Sequence, residues 1–187
     1  MDTEAVIGWD LGGAHTKAAL VDGEGRLRRV VQVACPLWYG LDRLDAAMRQ
    51  ILGQMGSGVR RHAVTMTGEL TDLFPDRGTG VKVLAEASVR QLRDAEVLVY
   101  AGPVGFRRIE EAQAYVRQIG SANWLAASNL VAQHCEEGVF IDIGSTTTDI
   151  VPFRDCEPCN RGYTDFERMR YEELIYTGEI GRASCRE

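Results

Sequence analysis

The chain has 187 residues, 45% apolar and 26% charged, the balance of a folded globular protein, so disorder as its main state is excluded. Its 21 Lys and Arg against 27 Asp and Glu leave a net charge of −6, which argues against a general binder of nucleic acid or of anionic membranes. At roughly 150 residues per domain, the length suits one domain and part of another. The start, Met1-Asp2-Thr3-Glu4, is acidic and carries no signal-peptide pattern, so the expected location is cytoplasmic. The longest uncharged stretch, Gln118 to Cys135, contains Gln, Ser, Asn and His and is no membrane span.

The apolar run Ala5 to Asp10 predicts a buried strand that ends in an acid and glycines. Ala14 to Val21 predicts a second strand, and Asp22-Gly23-Glu24-Gly25 a hairpin turn into a third, Arg26 to Cys35. Leu41, Leu44, Ala47, Met48, Ile51 and Leu52 recur at helical spacing, so Leu41 to Met55 is an amphipathic helix. His62 to Met66 follows as a strand, Gly68 to Phe74 as a helical turn or two, and Gly80 to Leu92 as a helix. Glu96 to Tyr100 is a buried strand, and Ile109 to Ile119 and Ala122 to Gln133 are helices split by Gly120-Ser121. Gly138 to Ile143 and Thr147 to Phe153 form a second hairpin. Antiparallel strands followed by strands interleaved with helices predict a mixed α/β sheet with helices on both faces.

From Asp155 the composition turns charged and Cys/Pro/Gly-rich. The expected organisation is a first domain over residues 1–154 and the start of a second over 155–178. Residues 179–187 back-translate onto a common sequencing adapter, so they are expected to be foreign to the protein. Cys156-Glu157-Pro158-Cys159 is a C-x-x-C with no second Cys/His pair at ligand spacing, and it reads as a loop with two thiols rather than as a zinc or redox site.

Two segments resemble each other: Gly8-Trp9-Asp10-Leu11-Gly12-Gly13-Ala14-His15-Thr16-Lys17 and Phe140-Ile141-Asp142-Ile143-Gly144-Ser145-Thr146-Thr147-Thr148-Asp149. Each is an apolar strand, Asp-x-Gly, small or hydroxyl residues, and a returning strand. Gly12, Gly13 and Gly144 would let backbone N–H groups approach phosphate oxygens, and Thr16, Ser145, Thr146 and Thr147 would add hydroxyl donors. Asp10 and Asp142 are poor direct partners of phosphate but would hold Mg²⁺, and Lys17 supplies a cation. Asp149 either contacts that metal or caps the local turn. His15 either donates to phosphate, or shuttles a proton, or is a half-exposed strand residue. The alternative for the whole pattern is two tight turns that use Gly for positive φ. Trp9 and Trp124 read as core.

This pair resembles the phosphate-1 and phosphate-2 loops of the acetate kinase–sugar kinase–actin superfamily, which implies a ribonuclease H-like fold. Within that group, Asp10-Leu11-Gly12-Gly13 and Asp142 to Ile150 resemble the hydantoinase A/oxoprolinase branch. With Thr65 to Leu70, Ala122-Asn123-Trp124, and Gly162 to Arg168 followed by Glu173 to Gly178, they are similar to the tetrahydromethanopterin-linked C1-transfer pathway family. That resemblance implies a Mg²⁺-dependent transferase of methanofuran biosynthesis. It would displace diphosphate from a furan-methyl diphosphate with a phenol, and it would act on a small phosphate or diphosphate ester with no nucleic-acid or membrane partner. On this reading Glu69, at the end of the strand His62 to Met66, is the candidate base for the phenol. Its alternative is the first turn of a helix capped by Thr67. The competing implications are an ATP-using oxoprolinase-like or sugar-kinase-like enzyme, or an actin-like nucleotide-binding module without chemistry. The superfamily's sites lie between two lobes, so little turnover is expected from this chain alone.

Overall fold

The computed structural model describes residues 4–56, 58–120, 122–144 and 147–177. These fall into two compact units that divide between Asn123 and Trp124. The composition change at Asp155, expected to mark a domain boundary, lies inside the second unit.

In the first unit, Val6–Leu11 (β1), His15–Val21 (β2) and Leu27–Ala34 (β3) form an antiparallel meander. The β2–β3 turn is held by Asp22, whose carboxylate accepts from the amides of Glu24 and Arg26, each at 2.9 Å. Those amide bonds and the Arg28 guanidinium lower the Asp22 pKa. Leu41–Met55 (α1) has the bounds that its apolar spacing predicts. Arg61–Met66 (β4) then pairs in parallel with β1, and a 3₁₀ turn over Gly68–Leu70 follows. Arg77–Gln91 (α2) starts nearly a turn before the expected Gly80, because Asp76 caps it by accepting from the Thr79 amide at 2.8 Å. Glu96–Tyr100 (β5) is parallel to β4, and Phe106–Arg108 (β6) closes the edge. The expected helix Ile109 to Ile119 is a 3₁₀ helix over Ile109–Tyr115 and one α turn, Val116–Ile119 (α3).

The sheet order is β3-β2-β1-β4-β5-β6. The steps from β1 to β4 and from β4 to β5 run the same way, and right-handed crossovers then put α1 and α2 on one face. There Ile7, Trp9, Leu11, Val64 and Val99 of the strands pack with Leu44, Met48 and Ile51 of α1 and Val81 and Leu84 of α2. His62 is in this layer and its Nδ1 accepts from Trp9 Nε1 at 3.1 Å. Burial lowers its pKa.

The second unit comprises Asn123–Ala132 (α4), Glu137–Ile143 (β7), Thr147–Arg154 (β8), Glu157–Pro158 (β9), Asp165–Arg170 (α5) and Leu174–Tyr176 (β10). Its sheet runs β10-β8-β7, with β9 paired to β8. Asp155 and Cys156 turn the chain with left-handed φ of 54° and 62°. Thr164 caps α5, and the Glu167 carboxylate reaches back to the Tyr163 and Thr164 amides. These amide bonds lower the Glu167 pKa. β6, β9 and β10 were not expected as strands; three residues or fewer show no measurable alternation.

Candidate functional site

The two glycine hairpins share one backbone register. Asp10 pairs with Lys17 and Leu11 with Thr16 across the first; Asp142 pairs with Asp149 and Ile143 with Thr148 across the second. Each turn closes with the same bond, Gly12 N–H to the His15 carbonyl at 3.1 Å and Gly144 N–H to the Thr147 carbonyl at 2.8 Å.

In the first hairpin the glycines are required for space rather than for left-handed backbone. A Cβ on Gly12 would lie 2.6 Å from the His15 carbonyl oxygen, and one on Gly13 would lie 2.6 Å from Thr71 Cγ2. The turn stands at the carboxyl end of the parallel pair β1–β4, where open α/β sheets bind ligands. The segment after β4 lies against it, since the Thr67 amide donates to the Leu11 carbonyl at 3.1 Å. A Cβ on Gly68 would come within 3.4 Å of the Gly12 carbonyl carbon. The Gly13 and Ala14 carbonyls are taken by the amides of Leu37 and Cys35. Among the described residues the Gly13 and Ala14 N–H groups have no backbone acceptor, which leaves a donor pair at the tip. Lys17 Nζ is 3.3 Å from Asp10 Oδ2, with the lysine side chain half exposed, and His15 is exposed at the end of the turn. Asp10 Oδ1 is buried and takes no hydrogen bond among the described residues.

Two expectations change here. Thr16 is wholly buried on the core face of the sheet, so its hydroxyl does not face the tip of the turn. It lies against the thiol of Cys35, whose pKa burial raises and this hydroxyl partly offsets. Glu69 does follow β4, but in a 3₁₀ turn and only 1% exposed. α2 presses on it so closely that a Cβ on Gly80 would sit 2.6 Å from the Glu69 carbonyl oxygen. A group so enclosed does not touch a substrate in this arrangement, and Thr67 makes no side-chain cap to the turn.

In the second hairpin, Ser145 and Thr146, expected as phosphate donors, lie outside the described residues. Gly144 is again tight, with a Cβ position 3.1 Å from the Thr147 carbonyl oxygen, and Asp142 is exposed. Asp149, read as a metal ligand or turn cap, is ion-paired in this structure. Its Oδ1 is 2.7 Å from Nη1 of Arg168, which is 1% exposed. The guanidinium also donates to the Glu173 carbonyl at 3.0 Å and lies 3.8 Å over the centre of the Trp124 ring. Arg168 is thus the residue that sequence reasoning missed. Thr164 caps its helix, but nothing in the order of residues pointed the guanidinium at Asp149. Trp9 and Trp124 are core, as expected, at 3% exposure each.

Among the described residues no three His, Cys, Asp or Glu side chains stand together as a metal site, and no helix is long and apolar enough to cross a membrane. Cys156 and Cys159 are exposed free thiols.

Residues 60–181 match the model of the hydantoinase/oxoprolinase family. The chain belongs to that family. The matched region contains the second glycine hairpin and begins just before β4, after the first. The chain is also 29% identical over 94% of its length to (4-{4-[2-(γ-L-glutamylamino)ethyl]phenoxymethyl}furan-2-yl)methanamine synthase of Methanocaldococcus jannaschii, of which it covers 51%. It is 37% identical over 28% of its length to the protein of that name in Methanococcus vannielii, covering 24% of it. It therefore spans about half, or less, of the length of the curated relatives it matches. Two solved structures share the fold. The ethanolamine utilization protein EutJ of Carboxydothermus hydrogenoformans is 14% identical, with a TM-score of 0.51 over 86% of this chain and 51% of that one. An exopolyphosphatase of Cytophaga hutchinsonii is 13% identical, with a TM-score of 0.51 over 90% and 53%. This hydantoinase/oxoprolinase-family chain has the expected ribonuclease H-like α/β fold, with a mixed sheet and packed helices.

Proposed function

We propose that this chain is the phosphate-gripping part of a transferase in C1-carrier coenzyme metabolism, of the methanofuran-synthase type. It would join a phenol to a furan-methyl group by an ether bond with loss of diphosphate. The likeness to the archaeal synthase over 94% of the chain carries this reading. The chemistry of the first hairpin agrees with it. The Gly13 and Ala14 amides and the Lys17 ammonium would hold the leaving diphosphate. As the phenol oxygen bonds to the furan methylene carbon, the C–O bond to diphosphate breaks and its electrons leave with the phosphate oxygen. Donors already aimed at that oxygen stabilise the developing charge without reorganising.

Mg²⁺ fits this hairpin in a limited way. The buried, unsatisfied Oδ1 of Asp10 is the acceptor it would satisfy. When bound, the ion would neutralise charge on the departing diphosphate. The phenol, with an ordinary pKa near 10, is helped by a base, and such groups contribute about 10²- to 10⁴-fold. His15, exposed at the hairpin end, is better placed for it than the enclosed Glu69.

The test uses the protein at the length of its relatives. It is incubated with γ-glutamyltyramine, the aminomethyl-furan methyl diphosphate and Mg²⁺, with and without ATP. Ether product and released pyrophosphate in the absence of ATP are expected. ATP hydrolysis or phosphoryl transfer with no ether would instead establish the oxoprolinase- or kinase-like reading.

A further inference from the structure

Between β3 and α1, Leu37–Tyr39 form a 3₁₀ turn that is tied to the tip of the first glycine hairpin. The Leu37 amide donates to the Gly13 carbonyl at 2.9 Å. Leu37 is 1% exposed, and a Cβ on Gly68 would lie 2.9 Å from its Cδ2, so its side chain is wedged against the segment that follows β4. The turn closes on itself, with the Tyr39 amide donating to the Pro36 carbonyl at 3.0 Å and the Gly40 amide to the Leu37 carbonyl at 2.9 Å. Gly40 then leads into α1 with φ of 137°, a backbone that residues with a Cβ avoid. The turn is thus fixed at both ends.

On this turn Trp38 and Tyr39 stand in water, 51% and 72% exposed. Their ring centroids are 5.8 Å apart, with planes inclined by 54°. The other two tryptophans, Trp9 and Trp124, are core. Aromatic side chains carry the large apolar areas that folding normally removes from water, and exposed apolar surface beside a polar site marks a place where something binds. The polar site here is the Gly13–Ala14 donor pair, whose own carbonyls are bonded by the amides of Leu37 and Cys35. Trp38 is therefore one residue along the chain from an amide that touches the hairpin tip.

We propose that Trp38 and Tyr39 seat the furan ring of the diphosphate ester and so select an aromatic ester over a bare phosphate; this rests on the function proposed above. One methylene joins the ring to the diphosphate, so a diphosphate held by the Gly13 and Ala14 amides keeps the ring beside the hairpin tip, to which the Leu37–Tyr39 turn is bonded. The aminomethyl substituent of the ring is an ammonium at neutral pH, and the faces of Trp and Tyr attract such a cation. The furan is assigned this place rather than the phenol because the phenol must approach the methylene carbon opposite the departing diphosphate, farther from those donors. Rings carried on a turn that is already fixed lose little freedom when a ligand stacks on them.

The test measures binding by calorimetry in the protein of the relatives' length, with inorganic pyrophosphate and with the aminomethyl-furan methyl diphosphate, the phenol being left out. Trp38→Ala and Tyr39→Ala are each expected to weaken binding of the ester about 10-fold, as loss of one stacked aromatic contact does, and to leave that of pyrophosphate within about twofold. Trp38→Phe keeps a ring and should recover most of the ester affinity. Both side chains are exposed, so the unfolding midpoints of the variants should match wild type. The ester, and not pyrophosphate, should shift the tryptophan emission of the wild type, a response missing in Trp38→Phe. Unchanged ester affinity in both alanine variants would overturn the proposal. So would an equal loss of pyrophosphate affinity, which would mean a displaced hairpin, or a wild type that binds the ester no more tightly than pyrophosphate. Ether formation is read separately: ether made by the wild type, with variants that bind the ester normally, removes this platform alone, whereas no ether and no ester binding removes the proposed reaction with it.

Discussion

The two glycine hairpins have the same turn bond and the same cross-strand register, yet they solve their charge problem differently. In the first, Asp10 faces Lys17 directly across the ladder, an opposite-charge pair contained within the hairpin. In the second, Asp142 faces Asp149, a like-charge pair that is unfavourable by itself, and the compensating cation is Arg168 of α5. The first hairpin is therefore electrostatically complete as a local segment and keeps its lysine half exposed. The second depends on a buried guanidinium from a helix that follows it in sequence, and it leaves Asp142 as the open carboxylate. Similar motifs at matched positions thus do not imply matched roles for each residue.

The sharpest way to break this comparison is at Arg168. Arg168→Met should destabilise the protein by about 3–5 kcal/mol, the usual cost of leaving one partner of a buried ion pair uncompensated, measured by urea unfolding. Arg168→Met with Asp149→Asn should recover a large part of that loss. An Arg168→Met midpoint equal to wild type would show that the second hairpin does not need its external cation.

Glycine replacement is expected next in size. Gly12→Ala places a Cβ 2.6 Å from a carbonyl oxygen and should lose about 1–3 kcal/mol, as overpacking does. Gly144→Ala, with 3.1 Å to the corresponding oxygen, should lose less. Equal losses in thermal or urea unfolding would mean that the turns are equally tight despite the difference in spacing.

His62 gives a pH signature that only the first unit carries. Burial lowers its folded pKa below the ordinary value of about 6.5, so below that value the unfolded chain binds the extra proton more readily. The His62 contribution is complete above about pH 6.5 and is lost as pH falls through 6.5 towards the lower folded value. Trp9 donates to this imidazole, so its fluorescence should hold steady through pH 6.5 and change only when the folded His62 protonates. A titration centred on pH 6.5 in the native protein would contradict the burial.

Lys17→Ala should give the smallest stability effect, about 0–1 kcal/mol, because the pair with Asp10 is solvent-exposed. Its pyrophosphate affinity, measured by calorimetry on the protein of the relatives' length, should nonetheless fall several-fold. No fall would remove Lys17 from the phosphate site.

Much of the local structure was legible from residue order. The spacing of Leu44, Ala47, Met48 and Ile51 marked α1 to its ends, and the apolar run Ala5 to Asp10 marked β1. Both glycine turns stood out because tight hairpins tolerate few residue types. The failures share a cause. Thr16 has the same residue type and strand position as a phosphate donor, but the pleat turns it inward, and only pairing with Leu11 reveals which face that is. Glu69 follows a strand end as a catalytic base would, but the approach of Gly80 from α2 encloses it.

The sequence by itself determined the class of fold, the two glycine hairpins and the acids that introduce them, because strand periodicity and turn chemistry are local. Only the tertiary structure decided which of those side chains face outward and which are already engaged. That choice depends on sheet pleat, on helices packed from elsewhere in the chain, and on the pairing of Asp149 with Arg168, none of which is encoded within one segment.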